Sequence, residues 1–179
     1  MKPIFLIGYM GCGKSTLGRA LGRMTPLRFI DLDNYIETRY HCTVREIFAR
    51  DGESRFRDLE RRMLDEVSEF EDVIVACGGG TPCFGDNMDM MNSRGTTVFL
   101  DTSFPKLLER LKRGRHKRPL IADKSDEELA SFIVSALDER IPYYSKAAIR
   151  FQGDLLENET EIDDTAMRFI TLLDLPTNQ

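Results

Sequence analysis

Short apolar runs alternate along this chain with longer stretches in which hydrophobic residues recur every three or four positions, and the alternation predicts its elements. Ile4-Phe5-Leu6-Ile7, Leu27-Arg28-Phe29-Ile30, Val73-Ile74-Val75-Ala76, Thr97-Val98-Phe99-Leu100 and a last segment near Ala148 to Phe151 read as strands. Most of these runs lack polar alternation, as expected for a parallel sheet covered on both faces. Between them, Ser15 to Met24 puts Leu17, Ala20, Leu21 and Met24 on one helical face, and Pro26 closes that helix. Thr43 and Glu46 have capping-box spacing and open a helix with Val44, Ile47 and Phe48 on its apolar side, ending near Asp51-Gly52. Glu53 to Phe70 repeats the pattern with Phe56, Leu59, Met63, Val67 and Phe70, so its charges form a solvated face. Pro105 lies near the start of a helix to about Arg113, Ser125 and Glu128 cap another to about Tyr144, and a closing helix spans about Glu161 to Leu173. Strands alternating with helices in this way predict a doubly wound α/β fold, a parallel five-stranded sheet with helices on both faces.

Composition narrows the class without changing that picture. The 179 residues, 41% hydrophobic and 31% charged, suit a single domain over 1–179 with a sizeable core. A net charge of −5 argues against a broad nucleic-acid surface, which draws on excess Lys and Arg. No apolar run approaches membrane-spanning length, and the first strand begins too early for a signal peptide, so a cytoplasmic protein is expected. Cys12, Cys42, Cys77 and Cys83 have no paired metal-ligand spacing and are read as thiols. Neither His41 nor His116 has a ligand-spaced neighbour.

The chemistry concentrates just after the strands. Gly8-Tyr9-Met10-Gly11-Cys12-Gly13-Lys14-Ser15 has the spacing of a phosphate-binding loop between a strand and a helix. Its glycines leave backbone N–H groups open to phosphate oxygens, Lys14 supplies charge to the β/γ-phosphates, Ser15 offers a hydroxyl to Mg2+, and the helix N-terminus faces the anion. ATP with Mg2+ is the expected co-substrate. Cys12 reads either as a small residue tolerated in the loop or as a thiol open to reagents. After the second strand, Asp31-Leu32-Asp33 can direct one carboxylate to magnesium and the other to a hydroxyl. After the third, Gly78-Gly79-Gly80 permits close approach of an anion to the backbone. Arg57 and Arg140 offer forks suited to a carboxylate, and Gly114 to Pro119 is a basic, unpatterned segment.

Taken in order, the set resembles the shikimate kinases. It comprises Gly8 to Thr16, Asp31 and Asp33, Asp51-Gly52-Glu53 with Phe56-Arg57 and Glu60, Gly78 to Gly80, Arg118-Pro119-Leu120, then Arg140 and Tyr144, over residues 4 to about 150. The resemblance implies a nucleoside-monophosphate-kinase-like fold that phosphorylates the 3-hydroxyl of shikimate from ATP, a step of aromatic amino-acid biosynthesis. It implies nucleotide binding by Gly11, Cys12, Gly13, Lys14, Ser15, Thr16, Arg110 and Arg118, and magnesium at Ser15 and, through water, Asp31. Asp33, Arg57, Gly79, Gly80 and Arg140 would hold shikimate, with Asp33, Lys14 and Arg118 catalytic. It further implies a substrate-binding helical segment at about 33–62 and a mobile lid at about 112–124. A monomer acting on small molecules, with neither nucleic acid nor membrane as partner, is expected. One departure stands out: Gln152 to Glu159 lacks the basic residue that the family often places near adenine, leaving Arg110 as the candidate platform. Gluconate and nucleotide kinases of similar fold, and a nucleotide-binding protein without turnover, are the competing readings.

Overall fold

A computed structural model describes residues 1–178, with the side chains of Lys117 and Pro119 outside the described set. Strands β1 (Ile4–Ile7), β2 (Arg28–Asp31), β3 (Val73–Ala76), β4 (Thr96–Asp101) and β5 (Ile149–Gln152) form one sheet in the order β2-β3-β1-β4-β5. Every pairing is parallel, with Leu6 opposite Ala76 on one side and Val98 on the other. The chain turns from β1 into α1 (Lys14–Met24) and reaches the edge at β2, whereas β4 and β5 extend the opposite half. The carboxyl end of β1 is therefore the point where the winding changes direction, which is where open α/β sheets bind ligands.

The fully apolar β1 and β3 are buried along their whole length, with Phe5, Leu6, Ile7, Ile74 and Val75 inaccessible to solvent. Leu17, Ala20 and Leu21 of α1 and Ala166, Phe169 and Ile170 of α7 (Glu159–Leu173) belong to the same core. At roughly 25 cal/mol per Å² of apolar area removed from water, that burial dominates the favourable side of folding. Gly18 lets α1 lie on the ring of Phe29, since a Cβ there would sit 2.1 Å from it.

Two helices escaped the periodicity reading. α2 (Leu32–Tyr40) buries only Leu32 and Ile36, too few apolar positions to show a period. α4 (Asn87–Arg94) is short and draws on methionine rather than on a leucine stripe. The helix from Val44 ends near Asp51-Gly52 as expected: α3 (Val44–Ser68) consists of two helical segments kinked at Gly52, whose φ of 80° and ψ of 173° are non-helical. Glycine marks the break, but the apolar face of Phe56, Leu59 and Met63 resumes the helix at once. Both capping boxes are present, Thr43 with Glu46 on α3 and Ser125 with Glu128 on α6 (Asp126–Tyr144). α5 (Phe104–Arg113) leads into the basic segment, which forms two short 3-10 turns, Arg115–Lys117 and Pro119–Ile121, rather than unpatterned coil. Among the described residues no helix is long and apolar enough to cross a membrane.

Candidate active site

Two neighbouring cavities open above the carboxyl ends of the strands. One of about 300 Å3 is lined by Gly11, Gly13, Lys14, Ser15, Thr16, Arg110, Arg118, Leu156 and Glu157. The other, about 260 Å3, is lined by Lys14, Ser15, Asp31, Asp33, Gly78, Gly79 and Arg118 among others. Gly11, Lys14, Ser15 and Arg118 border both, so they mark the seam between them.

The loop gets its shape from glycine. Gly13 caps α1 at φ 104°, and a Cβ there would lie 2.4 Å from Leu156 as well as being strained. The Lys14 ammonium donates to the carbonyls of Gly8 at 2.8 Å and Tyr9 at 3.0 Å. Ser15 Oγ donates to Asp31 Oδ2 at 2.7 Å, joining the loop to the end of β2. Cys12 stands apart from the cavity: its thiol is buried, and its N–H donates to the Tyr9 carbonyl within the loop at 3.2 Å. A backbone N–H so engaged is less available to phosphate than the sequence reading of Cys12 assumed.

Asp31 ends β2 and caps α2, which puts Asp33 in the first turn of that helix. Burial pushes the Asp33 carboxyl up from 3.8 to about 6, the charges of Asp31 and Glu60 add to the effect, and Lys14 opposes it. A carboxylate near neutrality in its titration, facing a cavity beside a phosphate-binding lysine, is suited to accept a proton from a hydroxyl.

The two arginines lie against consecutive glycines. A Cβ on Gly80 would fall 2.8 Å from Arg57 Nη2, and one on Gly79 would fall 3.3 Å from Arg140 Nη1. Any side chain at Gly80 would displace the Arg57 guanidinium. Arg57 is paired with buried Glu60 at 2.8 Å and with Glu53 at 3.1 Å. Glu60 accepts a further bond from the Thr81 hydroxyl at 2.5 Å. The Arg140 guanidinium lies 5.5 Å from the centre of the Tyr9 ring, and the Tyr144 hydroxyl donates to the Gly79 carbonyl at 2.5 Å. Sequence spacing contained a signal for Glu60, three residues after Arg57 on one helical face, but none for Thr81.

Arg110 donates to Glu157 at 2.6 Å, to the carbonyls of Gly153 and Asp154 at 3.1 and 2.8 Å, and to that of Cys12 at 3.2 Å. Glu157 also binds Arg113. The segment that lacked a basic residue thus contributes an acidic one that fixes Arg110 from 47 positions away, a pairing no local pattern could reveal. Arg118 donates to the Gly114 carbonyl at 3.0 Å. Lys112 pairs with Asp126 at 2.8 Å, and Arg115 binds the same carboxylate.

A family model described as shikimate kinase matches residues 10–171. The chain belongs to the shikimate kinase family. It is 57% identical over 162 residues to a shikimate kinase from Phocaeicola vulgatus, covering 90% of this chain and 93% of that one. The crystal structure of shikimate kinase from Bacteroides thetaiotaomicron superposes with a TM-score of 0.93 at 49% identity, over 97% of this chain and 99% of the other. The shikimate kinase of Acinetobacter baumannii, solved in complex with shikimate, gives a TM-score of 0.79 at 30% identity over 97% of this chain and 93% of that one. Membership of the family implies the P-loop kinase fold with ATP as co-substrate.

Proposed function

We propose that the chain transfers the γ-phosphoryl group of ATP to the 3-hydroxyl of shikimate, giving shikimate 3-phosphate and ADP. The observation that carries this reading is the seam itself: Gly11, Lys14, Ser15 and Arg118 border both cavities, and Asp33 borders only the second. ATP occupies the cavity with Arg110, its phosphates toward Lys14 and the N-terminus of α1, and its adenine against the face of the Arg110 guanidinium. Shikimate occupies the cavity with Asp33, its carboxylate toward Arg57 and Arg140 and its ring against Gly79 and Gly80.

In the transfer, the 3-hydroxyl oxygen bonds to the γ-phosphorus as the bond to the β-phosphate oxygen breaks, and the hydroxyl proton passes to Asp33. Lys14 and Arg118 meet the charge on the transferring group, which is the larger share of phosphoryl-transfer catalysis. The Ser15 hydroxyl and Asp31 carboxylate, 2.7 Å apart, fit Mg2+, a hard cation held by few protein oxygens and by phosphate. When bound, Mg2+ neutralises phosphate charge at this point. Among the described residues no group of three or more His, Cys, Asp or Glu forms a metal cage, which agrees with a cation shared with the nucleotide. Residues 112–124 serve as the lid that excludes water, since an open site would hydrolyse ATP. Shikimate and ATP complete the list of partners, and the enzyme works as a cytoplasmic monomer.

The deciding experiment is ADP release with ATP and Mg2+ against shikimate, gluconate and nucleoside monophosphates. Turnover is expected with shikimate alone. Turnover with another member of the panel and none with shikimate would overturn the proposal.

A further inference from the structure

Phe84 is a large aromatic residue left 38% exposed, outside the hydrophobic core. Burial does not account for it, but Arg57 does: the guanidinium carbon lies 3.8 Å from the centre of the Phe84 ring, inside the range of a strong cation–π contact. The turn that presents the ring is fastened to the helix that carries Arg57. Arg61 of α3 donates to Asn87 at 2.9 Å and pairs with Asp86 at 3.0 Å. Asn87 in turn donates through its N–H to the Phe84 carbonyl at 3.2 Å and through its side chain to the Thr81 carbonyl at 2.8 Å. Ring and guanidinium are thereby held to one frame.

We infer that Phe84 is a positioning residue for Arg57, an aromatic seat that orients the guanidinium toward a substrate carboxylate. This rests on the proposed binding of shikimate. Arginine has five N–H donors. Arg57 uses Nε and one Nη2 hydrogen on Glu53 and one Nη1 hydrogen on Glu60. One hydrogen on each terminal nitrogen remains for a substrate carboxylate. A seat made of another carboxylate or a carbonyl would consume those hydrogens. An aromatic face attracts the cation through its quadrupole and takes no hydrogen-bond donor. Gly80 fits the same arrangement, because only a residue without a Cβ leaves room for a guanidinium so close to the turn.

The experiment compares Phe84→Leu, which keeps an apolar cover without a π face, with Phe84→Tyr, which restores the face. For Phe84→Leu the KM for shikimate should rise about threefold to tenfold, the range a partly exposed cation–π contact supports, while kcat and the KM for ATP stay within about twofold. Phe84→Tyr should return the KM for shikimate to the wild-type value. In the ligand-free protein, the Arg57 Hε resonance should carry a ring-current shift that Phe84→Leu reduces to what the Phe56 ring at 5.2 Å contributes and that Phe84→Tyr keeps. Unchanged KM in Phe84→Leu, a parallel loss of kcat and both KM values, or a Tyr variant as impaired as the Leu variant would overturn the inference. Should the wild type fail to turn over shikimate, the proposed function falls, and the resonance alone decides whether Phe84 orients Arg57.

Discussion

Replacing Asp33 by Asn should make the ligand-free protein more stable while removing most of its turnover. The Asp33 pKa, raised from 3.8 to about 6, corresponds to roughly 3 kcal/mol of preference for the neutral side chain in the folded state. The folded state then binds more protons than the unfolded chain between the two values, so stability falls as pH rises from about 4 to about 6 and stays reduced above that. The groups responsible are burial first, then Asp31 and Glu60, with Glu37 adding slightly and Lys14 offsetting part of the effect. Asparagine keeps the shape and cannot ionise. For a chain of this size each kcal/mol shifts Tm by about 2–4 °C, so the ceiling on the gain at pH 7.5 is roughly 6–12 °C. Paired thermal unfolding of wild type and Asp33→Asn should show Tm values that coincide near pH 4 and separate fully by about pH 6.5. In parallel, wild-type kcat/KM for shikimate should rise with pH through about 6 as Asp33 ionises. The ligand-free unfolding is the sharper test, because the nucleotide phosphates titrate in the same range. An Asp33→Asn protein no more stable than wild type at pH 7.5, or one with near-normal kcat, would refute the reasoning.

Three further outcomes follow from other parts of the site. Arg57→Ala should weaken shikimate binding by about 2–4 kcal/mol with little change for ATP, since a charge-assisted pair is lost and Glu60 is left buried without its cation; equal weakening of both ligands in calorimetry would make Arg57 structural. Trypsin should cut the free protein after Lys112, Arg113, Arg115 or Lys117, and cut it markedly more slowly with ADP and shikimate bound together, whereas equal rates at saturation would remove Arg118 from the catalytic set. Glu157→Gln should raise the KM for ATP several-fold and leave that for shikimate unchanged, because Arg110 and Arg113 lose their shared carboxylate; an unchanged KM for ATP would separate Arg110 from adenine.

Much of this architecture could be read from the chain because its strands are short, continuous apolar runs and its longer helices carry explicit caps. Thr43 with Glu46 and Ser125 with Glu128 are local in sequence and local in space, so pattern and structure coincide. The phosphate-binding loop was legible for the same reason: eight consecutive residues contain all its geometry. What escaped reading was either weakly apolar or distant. α2 buries too little, and α4 is too short, to set a period. Glu157 and Phe84 lie 47 and 27 positions from the arginines they hold, and nothing in the intervening sequence registers that contact.

The same distinction explains how the site divides its work. Residues that border both cavities, Gly11, Lys14, Ser15 and Arg118, belong to the loop and to the basic segment, and in the proposed reaction the side chains of the last three follow a phosphoryl group across the seam. The residues that the proposed function assigns to one ligand are instead placed by contacts from other parts of the fold. Arg110 is fixed by Glu157 and backbone carbonyls, Arg57 by Glu60 and the ring of Phe84, and Arg140 lies over the ring of Tyr9. Guanidinium groups on long, rotamer-rich side chains lose substantial entropy when a ligand must order them. Holding them beforehand shifts that loss to folding, where the core described above offsets it. Substitutions in these supports should therefore move the KM of one ligand at a time, and substitutions on the seam should move kcat.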